Sequence, residues 1–316
     1  MNYNLDTHLV QTDLWGEFKT SMGNTAIKIG NIQLTKHKIP GIKKYVGYAP
    51  RVNFLTQKFN FKELKAVAID EDIAFIRFDV PNVLKYDKNS EKLPRVLLEV
   101  EEECKLAPRS TFATHNVLLD ISKPEEELIK NFSSKTRYNT KLASRKGVNV
   151  RLENTNSGFE QFYQLLSETA KRQNFLIHSK KYYKNAYEIF SNAGKANILI
   201  AYYQDKPLVA WMLFNNEHTI YYPYGGSSNE HRNLMASNLI AWEAIKLGKK
   251  LGTSVFDMWG ATSNKDSAWW GFTRFKLGYG GDLVEYMPSY DFVINSSVYH
   301  TFNLAYNTFW KIRKMI

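Results

Sequence analysis

A lysine at position 276 stands in a stretch of aromatic residues and glycines, WGFTRFKLGYGG, at positions 270–281. Such a lysine could serve acyl transfer, because attack on an ester passes through a tetrahedral oxyanion that a fixed cation stabilises. Phe272 and Phe275 could exclude water from the ammonium, and the glycines at 278, 280 and 281 would leave a substrate room to approach. The alternative is that Lys276 is an exposed lysine on a strand.

Other catalytic chemistries find less support in the sequence. Ser227 and Ser228 do not stand in a G-x-S-x-G turn, and no G-x-x-x-x-G-K-[ST] phosphate loop is present. Cys104 follows three glutamates, 101–103, whose negative charge would raise the pKa of its thiol and disfavour a reactive thiolate. The histidines show neither an H-x-x-x-H spacing nor a paired carboxylate, so we expect no metal site; those considered are His115, His178, His218, His231 and His300.

The charge balance favours anionic partners. The 316 residues contain 42 Lys and Arg and 31 Asp and Glu, a net charge of +11 that is spread along the chain. An excess of this size suits RNA, phosphorylated substrates or an acidic membrane surface. The single cysteine fits a reducing compartment, and neither an N-terminal apolar signal core nor a membrane-spanning apolar run is present. We therefore expect a cytoplasmic protein.

Residue periodicity in the first part of the chain predicts alternating helices and strands. Thr12 or Asp13 can cap an opening helix with Trp15, Phe18 and Met22 on one stripe. The segment 41–51 is rich in turn residues, and a Ser cap with an early proline predicts a helix from Ser122. The predicted helices are 12–22, 61–71 and 92–104, and the predicted strands are 26–34, 73–78 and 114–122.

The same order of elements recurs in the second part. The predicted helices are 133–147, 157–173, 179–194 and 234–248, and the predicted strands are 148–153, 196–204, 207–215, 219–226 and 254–260. This order is typical of an acyl-CoA N-acyltransferase (GNAT)-like fold. We predict an α/β (α+β) protein with two tandem GNAT-like domains, each a mixed sheet flanked by helices. The first would comprise 1–121 with the C-terminal helix 288–316, and the second, catalytic domain 122–287.

Enzymes of this fold class that use acetyl-CoA need a Gln/Arg-x-x-Gly-x-Gly/Ala loop, whose amides at a helix N-terminus hold the pyrophosphate. The comparable stretch here is RNLMAS, residues 232–237, in which Met235 occupies the place of the required glycine. The loop therefore argues against CoA as the acyl donor. The alternative is that the stretch is merely the start of a helix.

Several stretches together resemble the Fem family of peptidoglycan aminoacyltransferases. They are SSKTRYNTKLASRKGV, YYPYGGSSNEHRNLMASNLIAWEAIK, FDMWG and GFTRFKLGYGG, with WGEFK near the start. The likeness covers about residues 110–290 well and the first hundred more weakly. It implies two GNAT-like domains and transfer of an amino acid from aminoacyl-tRNA to the stem peptide of UDP-MurNAc-pentapeptide or its lipid-linked form, lipid II. Sustained heptads are absent, so the chain resembles members without a coiled-coil arm.

The resemblance also suggests site residues. The family's catalytic Phe-Lys pair corresponds to Phe275 and Lys276, and a lysine that holds the diphosphate corresponds to Lys19. A cation and a tyrosine four residues on correspond to His178 and Tyr182, although arginine is usual at the former position. Tyr224 corresponds to a substrate-facing tyrosine, but Tyr182 and Tyr224 could equally be core residues. The remaining substrate-binding candidates are Arg137 and Tyr138, for the same pocket, and Asp79.

We therefore predict an aminoacyltransferase that acts as a monomer, without a metal or organic cofactor. Two alternatives stay open: an N-acyltransferase with an acyl-CoA or acyl-carrier donor, and a non-enzymatic basic RNA-binding protein. The C-terminal segment 296–316 has helical spacing of its apolar residues and ends in cations. It predicts a helix packed on the first domain or, alternatively, a basic aromatic foot in peripheral contact with the inner membrane face.

Overall fold

The computed structural model describes Tyr3, residues 5–86 and residues 94–315, with the side chains of 307–315 left out of the description. Up to residue 106 the helices and strands are α1 (Asp13–Ser21), β1 (Thr25–Ile29), β2 (Ile32–Lys38), β3 (Tyr45–Pro50), α2 (Phe61–Asp70), β4 (Ile73–Asp79), α3 (Arg95–Glu103) and β5 (Lys105–Leu106). The next are β6 (His115–Asp120), α4 (Glu125–Asn131), α5 (Ser134–Arg145), β7 (Asn149–Leu152), α6 (Asn156–Gln173), α7 (Lys180–Asn192), β8 (Ala196–Tyr203) and β9 (Lys206–Asn216). The last are β10 (Thr219–Ser227), α8 (Ala236–Lys250), β11 (Val255–Ala261), α9 (Trp270–Leu277), β12 (Asp282–Glu285), β13 (Tyr290–Val293) and α10 (Ser296–Met315).

The chain divides into two compact units. Unit A comprises the described residues of Val10–Thr114 and Glu285–Ile316, and unit B those of Met1–Leu9 and His115–Val284. Strand β6, which the sequence prediction assigned to the first domain, hydrogen-bonds to β11 within the sheet of unit B. The assignment of acceptor binding to one unit and catalysis to the other stays a prediction.

Unit A is built on a mixed sheet with the strand order β1-β2-β3-β4-β13-β5. Strands β3 and β4 are parallel, and β13 is antiparallel to both of its neighbours. All seven residues of β4 are buried, as expected for a strand in the middle of a sheet covered on both faces. The core includes Phe54, Phe78, Leu97 and Phe292.

Unit B is built on a second mixed sheet, with the strand order β12-β6-β11-β10-β9-β8-β7. Strands β10 and β11 are parallel, and their pairing ends at Tyr221↔Asp257 although both strands continue. Beyond that point β10 pairs only with β9 and β11 with β6, so the two central strands part. Helix α6 packs closely on β10, since a side chain at Gly226 would lie 2.3 Å from the backbone of Leu165.

Most predicted elements are confirmed, and the exceptions have local causes. The strand predicted at 26–34 is the hairpin β1–β2, because Gly30, at φ +56°, turns the chain. The turn-rich segment 41–51 contains β3, in which Gly47 lies against Ile73 and Ile76 and a larger residue would not fit without movement. Helix α4 begins after Pro124 without a side-chain cap, and Ser122 instead bonds Asp120.

The start of α10 packs back on unit A, as one of the two predictions for the C-terminal segment stated. Tyr299 and Phe302 contact Phe75, and the Tyr299 hydroxyl donates to Asp291 Oδ2 at 3.0 Å. The predicted apolar and basic foot relied on Phe309, Ile312, Lys311, Arg313 and Lys314, whose side chains lie outside the described residues. Within the part of the chain that is described, no helix combines the length and apolarity required to cross a bilayer.

Candidate functional site

Lys276 lies near the C-terminal end of α9, on a face that is turned inward. Only 1% of its surface is exposed. Its Nζ donates to the backbone carbonyls of Gly260 at 2.6 Å and Trp259 at 3.2 Å, and it lies 4.3 Å from the centre of the Phe272 ring. The alternative of an exposed lysine on a strand is therefore wrong. The ammonium is fixed by two carbonyls and one ring rather than by a carboxylate.

Burial lowers the pKa of Lys276 from its usual 10.5 to about 7, and the opposing effect of Asp257 is smaller. Removal of water disfavours the charged form of an amine, which is the cause of this shift. The lysine can therefore gain or lose a proton near neutral pH. Perturbed titration in a recessed position is a common property of catalytic groups, although structural groups also show it.

The two carbonyls that hold Lys276 belong to a β-bulge in β11. Opposite Val117 of β6, strand β11 carries two residues, Met258 and Trp259, because the register passes from Asp257↔Leu118 to Gly260↔Asn116. Trp259 has φ +65°, a left-handed conformation that costs a residue with a Cβ roughly 1–2 kcal/mol. Successive carbonyls of a regular strand point in opposite directions, whereas here both reach one nitrogen.

A buried polar pair lies beside the bulge. Asp257 Oδ1 accepts from the backbone N–H of Trp259 at 2.7 Å, and both carboxylate oxygens accept from Asn116 Nδ2 at 2.9 Å. Asp257 and Asn116 are 2% and 1% exposed. Sequence reasoning missed this pair, since FDMWG has the pattern of an ordinary buried strand. The signal available in the sequence was an aspartate inside an apolar strand, because a charged residue is rarely buried without a specific partner.

The partner of Lys276 in the predicted catalytic pair, Phe275, packs toward the core of unit B. Its ring meets that of Tyr279 edge-on at 5.5 Å between centroids. The ring of Phe272, in contrast, lies over the Lys276 ammonium, and its outer side is 42% exposed; exclusion of water by Phe272 and Phe275 stays a prediction. A direct role of Phe275 in catalysis stays a prediction.

Three of the predicted acceptor-binding residues come together in unit B. The His178 ring stacks on Tyr182 at 3.8 Å, and the hydroxyls of Tyr182 and Tyr224 are 3.5 Å apart. Tyr183 meets Tyr224 edge-on and accepts from the backbone N–H of His178. Burial raises the pKa of Tyr182 and of Tyr224, so both hydroxyls remain protonated donors at neutral pH. His178 is exposed, and Tyr182 is buried.

Arg137 and Tyr138 lie on α5 and are engaged differently. Arg137 Nη1 donates to the carbonyls at the end of α4, at 3.1 Å for Lys130 and 3.4 Å for Ile129 and Phe132. The Ile129 carbonyl also accepts from the backbone N–H of Phe132, and the last carbonyls of a helix need partners outside its ladder, so Arg137 has a structural role at the end of α4. It also lines a cleft of about 260 Å³. Tyr138 is 58% exposed. Their assignment to the acceptor pocket stays a prediction.

Lys19 and Asp79 belong to unit A. Lys19 is half-buried on α1, and burial lowers its pKa. The pKa of His37 on β2 is also lowered, first by burial and then by the charge of Lys19. Asp79 is fully buried and accepts from Tyr48 and Ser289, each at 2.7 Å, and from two backbone N–H groups. A substrate contact at Asp79 would have to displace one of these donors, whereas Lys19 has the exposure that an anion site needs.

The loop that corresponds to the CoA pyrophosphate loop begins α8. Met235 stands directly before that helix with φ +58°, the left-handed conformation that favours glycine. No side chain caps the helix start. A methionine thus adopts the backbone conformation that favours glycine, and its side chain packs against the core of unit B.

The two mixed sheets with flanking helices define a tandem GNAT-like architecture. A tandem GNAT protein from the clavulanic acid pathway superposes with a TM-score of 0.50 at 9% identity, covering 82% of this chain and 78% of its own. The crystal structure of FemX superposes with a TM-score of 0.81 at 19% identity, covering 93% and 94%. These likenesses confirm the predicted fold class.

Sequence comparison then defines the family. The profile of the FemAB family matches residues 107–206 and 194–307, which together exceed half of the chain. This chain belongs to the FemAB family. A lipid II:glycine glycyltransferase of Staphylococcus epidermidis is 23% identical over 367 aligned positions, covering 90% of this chain and 86% of that protein. The corresponding protein of Staphylococcus aureus is 22% identical, covering 92% and 89%.

The Fem resemblance drawn from the sequence motifs is therefore confirmed. In unit B, the longest helix among the described residues is α6 with 18 residues, and the lack of a coiled-coil arm stays a prediction.

Proposed function

We propose that this protein is an aminoacyltransferase that transfers an amino acid to the stem peptide of lipid II or of its nucleotide-linked precursor, UDP-MurNAc-pentapeptide. The observation that carries the proposal is Lys276, buried and anchored by two carbonyls, in a chain of the FemAB family. The names of the glycyltransferase relatives support an acceptor of this class. The proposed donor is an aminoacyl-tRNA, whose phosphates suit the +11 charge.

In the proposed reaction the acceptor amine attacks the ester carbonyl of the donor. A bond forms between nitrogen and carbonyl carbon, and the carbonyl electron pair moves onto oxygen as an oxyanion. Two N–H groups of the Lys276 ammonium point at Trp259 and Gly260, and its third can meet the oxyanion. When the oxyanion collapses, the ester C–O bond breaks, and the proton lost by the amine neutralises the departing ribose oxygen.

Charge stabilisation is the role we assign to Lys276, because no covalent intermediate is needed. In a dry site a preorganised cation stabilises developing charge far more than it would in water. The pKa of about 7 belongs to the chain without substrate. An oxyanion beside Nζ raises that pKa again, since an opposite charge favours the ammonium. The ammonium form of Lys276 is therefore more favoured in the transition state than in the free enzyme. Its interaction with the oxyanion arises only in the transition state, as catalysis requires.

In this proposal the protein recognises the acceptor through the phosphates of the precursor. Lys19 offers a cation in unit A, and His178, Tyr182 and Tyr224 offer a cluster of donors in unit B. The imidazole of His178 is a weaker anion ligand than the arginine usual in the family, because it lacks the bidentate fork and permanent charge. We expect the protein to act as a cytoplasmic monomer, in peripheral contact with the membrane face when the acceptor is lipid-linked.

A transfer assay with mixed charged tRNAs tests the proposal. The acceptors are lipid II and UDP-MurNAc-pentapeptide in separate reactions, and mass spectrometry of each precursor identifies the amino acid added. We expect one defined mass increase that requires the charged tRNA. Transfer from acyl-CoA, with none from charged tRNA, would favour a CoA-dependent N-acyltransferase. Tight RNA binding without transfer to any amine would favour a non-enzymatic RNA-binding protein.

A further inference from the structure

We propose that Asp257, paired with Asn116, is a positioning residue that fixes both the place and the protonation of the Lys276 amine. The inference rests on the proposed function for its catalytic meaning, but its structural content can be measured without any transfer reaction. Three sets of contacts in unit B carry it: those of Asp257 with the bulge, those of the bulge with Lys276, and those of Asn116 with Asp257.

The first contact fixes the bulge. Asp257 Oδ1 accepts from the N–H of Trp259, two residues on, at 2.7 Å. A side-chain oxygen that bonds the backbone two residues ahead stabilises a local turn, and aspartate is among the residues best suited to it. Here it supports a left-handed conformation, φ +65°, that Trp259 would otherwise disfavour.

The second set of contacts places the amine. Because the bulge turns the chain, the carbonyls of Trp259 and Gly260 both accept from Lys276 Nζ, at 3.2 and 2.6 Å. A regular strand would direct only every second carbonyl toward α9. Loss of the turn would therefore release one of the two anchors, and the long lysine side chain would regain rotational freedom.

The third set orients the carboxylate. Asn116 lies on β6 opposite Gly260 and donates from Nδ2 to both oxygens of Asp257 at 2.9 Å. Both groups are nearly fully buried, so water competes little with this pair. The charge of Asp257 raises the pKa of Lys276 and so opposes the larger effect of burial.

Asp257 is the charge to which the titration of Lys276 responds most directly. Helix α9 contacts β11 and β6, while His8 and Tyr221 contact Trp259. The other titratable groups of these elements and of α9 itself are His115 and Asp120 on β6, His8, Tyr221 on β10 and the exposed Arg274. The electrostatic effect on Lys276 comes from Asp257, after burial.

The test follows the amine itself. When all lysines are labelled with ¹³C at Cε, we expect one resonance to titrate near neutral pH. Loss of that resonance in Lys276→Met assigns it to Lys276. Asp257→Asn keeps the size of the side chain and deletes its charge, so we expect the midpoint to fall by about one pH unit. The matched control is Asp266→Asn, which removes a charge from the exposed loop before α9 and should leave the midpoint in place.

Exchange of the pair supplies the rescue. Asn116→Asp combined with Asp257→Asn keeps one carboxylate and one amide, and the new amide oxygen can still accept from Trp259 N. We expect this double variant to recover most of the shift in midpoint. In transfer assays at about pH 8, Asp257→Asn should lower kcat up to about tenfold, because one pH unit changes the protonated fraction by that factor. The acceptor KM should stay near the parental value.

A midpoint in Asp257→Asn equal to that of the parent would overturn the proposal, whatever the transfer assay shows. If Asp257→Asn does not fold, the exchange variant decides alone. Its failure to fold, or its folding without a near-neutral lysine titration, would also overturn the inference. If the midpoint falls as expected in Asp257→Asn but the parent protein transfers no amino acid, the inference stands and the proposed function is contradicted instead.

Discussion

Replacement of Lys276 by methionine is the sharpest test of the proposed chemistry. Methionine keeps an unbranched side chain of similar bulk and removes the ammonium. Loss of one preorganised oxyanion partner costs on the order of 3–4 kcal/mol, which is roughly a hundred- to a thousandfold in rate. We expect kcat to fall by that factor while the acceptor KM changes little. Arginine should restore activity only in part, since its planar fork does not fit between two carbonyls and a ring.

The same substitution has two opposing effects on stability. The carbonyls of Trp259 and Gly260 lose their donor, at a cost of about 1–3 kcal/mol for each group left unsatisfied. The opposing effect is relief of a burial cost. A shift in the pKa of Lys276 from 10.5 to about 7 means that the charged lysine lowers the stability of the folded protein by roughly 5 kcal/mol, and methionine removes this cost. The two effects are of similar size, so the methionine variant should fold.

The stability difference should also depend on pH, with a definite sign. Between the folded pKa of about 7 and the unfolded value of 10.5, the unfolded parent binds one more proton than the folded parent. The parent therefore gains about 1.4 kcal/mol of unfolding free energy per pH unit in this window, relative to the methionine variant. This contribution is complete above the unfolded pKa and is lost as the pH falls to the folded one.

The assays are steady-state transfer kinetics and denaturant unfolding at pH 7, 8 and 9, with circular dichroism to establish folding. The reasoning is refuted if the folded methionine variant keeps kcat within about threefold of the parent, far less than the loss expected for an oxyanion partner. A stability difference that does not change with pH would refute the account of the buried amine, independently of the catalytic result.

Four further predictions concern other parts of the molecule. Lys19→Ala should raise the KM for a diphosphate-bearing acceptor more than it lowers kcat, because the contact exists in ground and transition states alike; an unchanged KM removes Lys19 from the site. Raising salt from about 50 to 200 mM should weaken donor binding about tenfold or more, and a Kd indifferent to salt would count against tRNA. Sedimentation with vesicles should increase with the content of anionic lipid if the protein contacts the membrane surface, whereas equal sedimentation with neutral vesicles would contradict that contact. Gly226→Ala would place a Cβ 2.3 Å from the backbone of Leu165, so the unfolding free energy should drop by about 1–3 kcal/mol. The comparison is Gly252→Ala, where a Cβ has open space but φ is positive, so this variant measures backbone strain alone.

The sequence was sufficient for elements whose pattern is local. Helix α6, for example, has an amphipathic stripe, a Thr155 cap and a left-handed Asn174 at its end, so propensity and structure agree. The β1–β2 hairpin was missed although its signal is local. The alternation of apolar residues shifts by one position between Ile29 and Ile32, and Gly30 and Asn31 between them form a two-residue turn. Gly30 adopts φ +56° there and lies against the backbone of Lys58.

The candidate site was partly foreseen for a similar reason. Lys276 could be singled out from its neighbours, but its helix could not, since Gly271 lies within the short helix α9 and Gly278 directly follows it, and glycine weakens a helical pattern. The role of Asp257 depends on a register shift against β6, some 140 residues away along the chain. Such a long-range pairing leaves no local pattern in the sequence.

The place of β13 in unit A has a consequence for biosynthesis. This strand lies between β4 and β5, yet it is translated after the whole of unit B. Until a ribosome has released residues 290–293, the nascent sheet ends at β4, whose apolar residues and open backbone edge invite pairing with other chains. Domains generally fold as units during translation, so unit B should fold before the sheet of unit A is completed by β13.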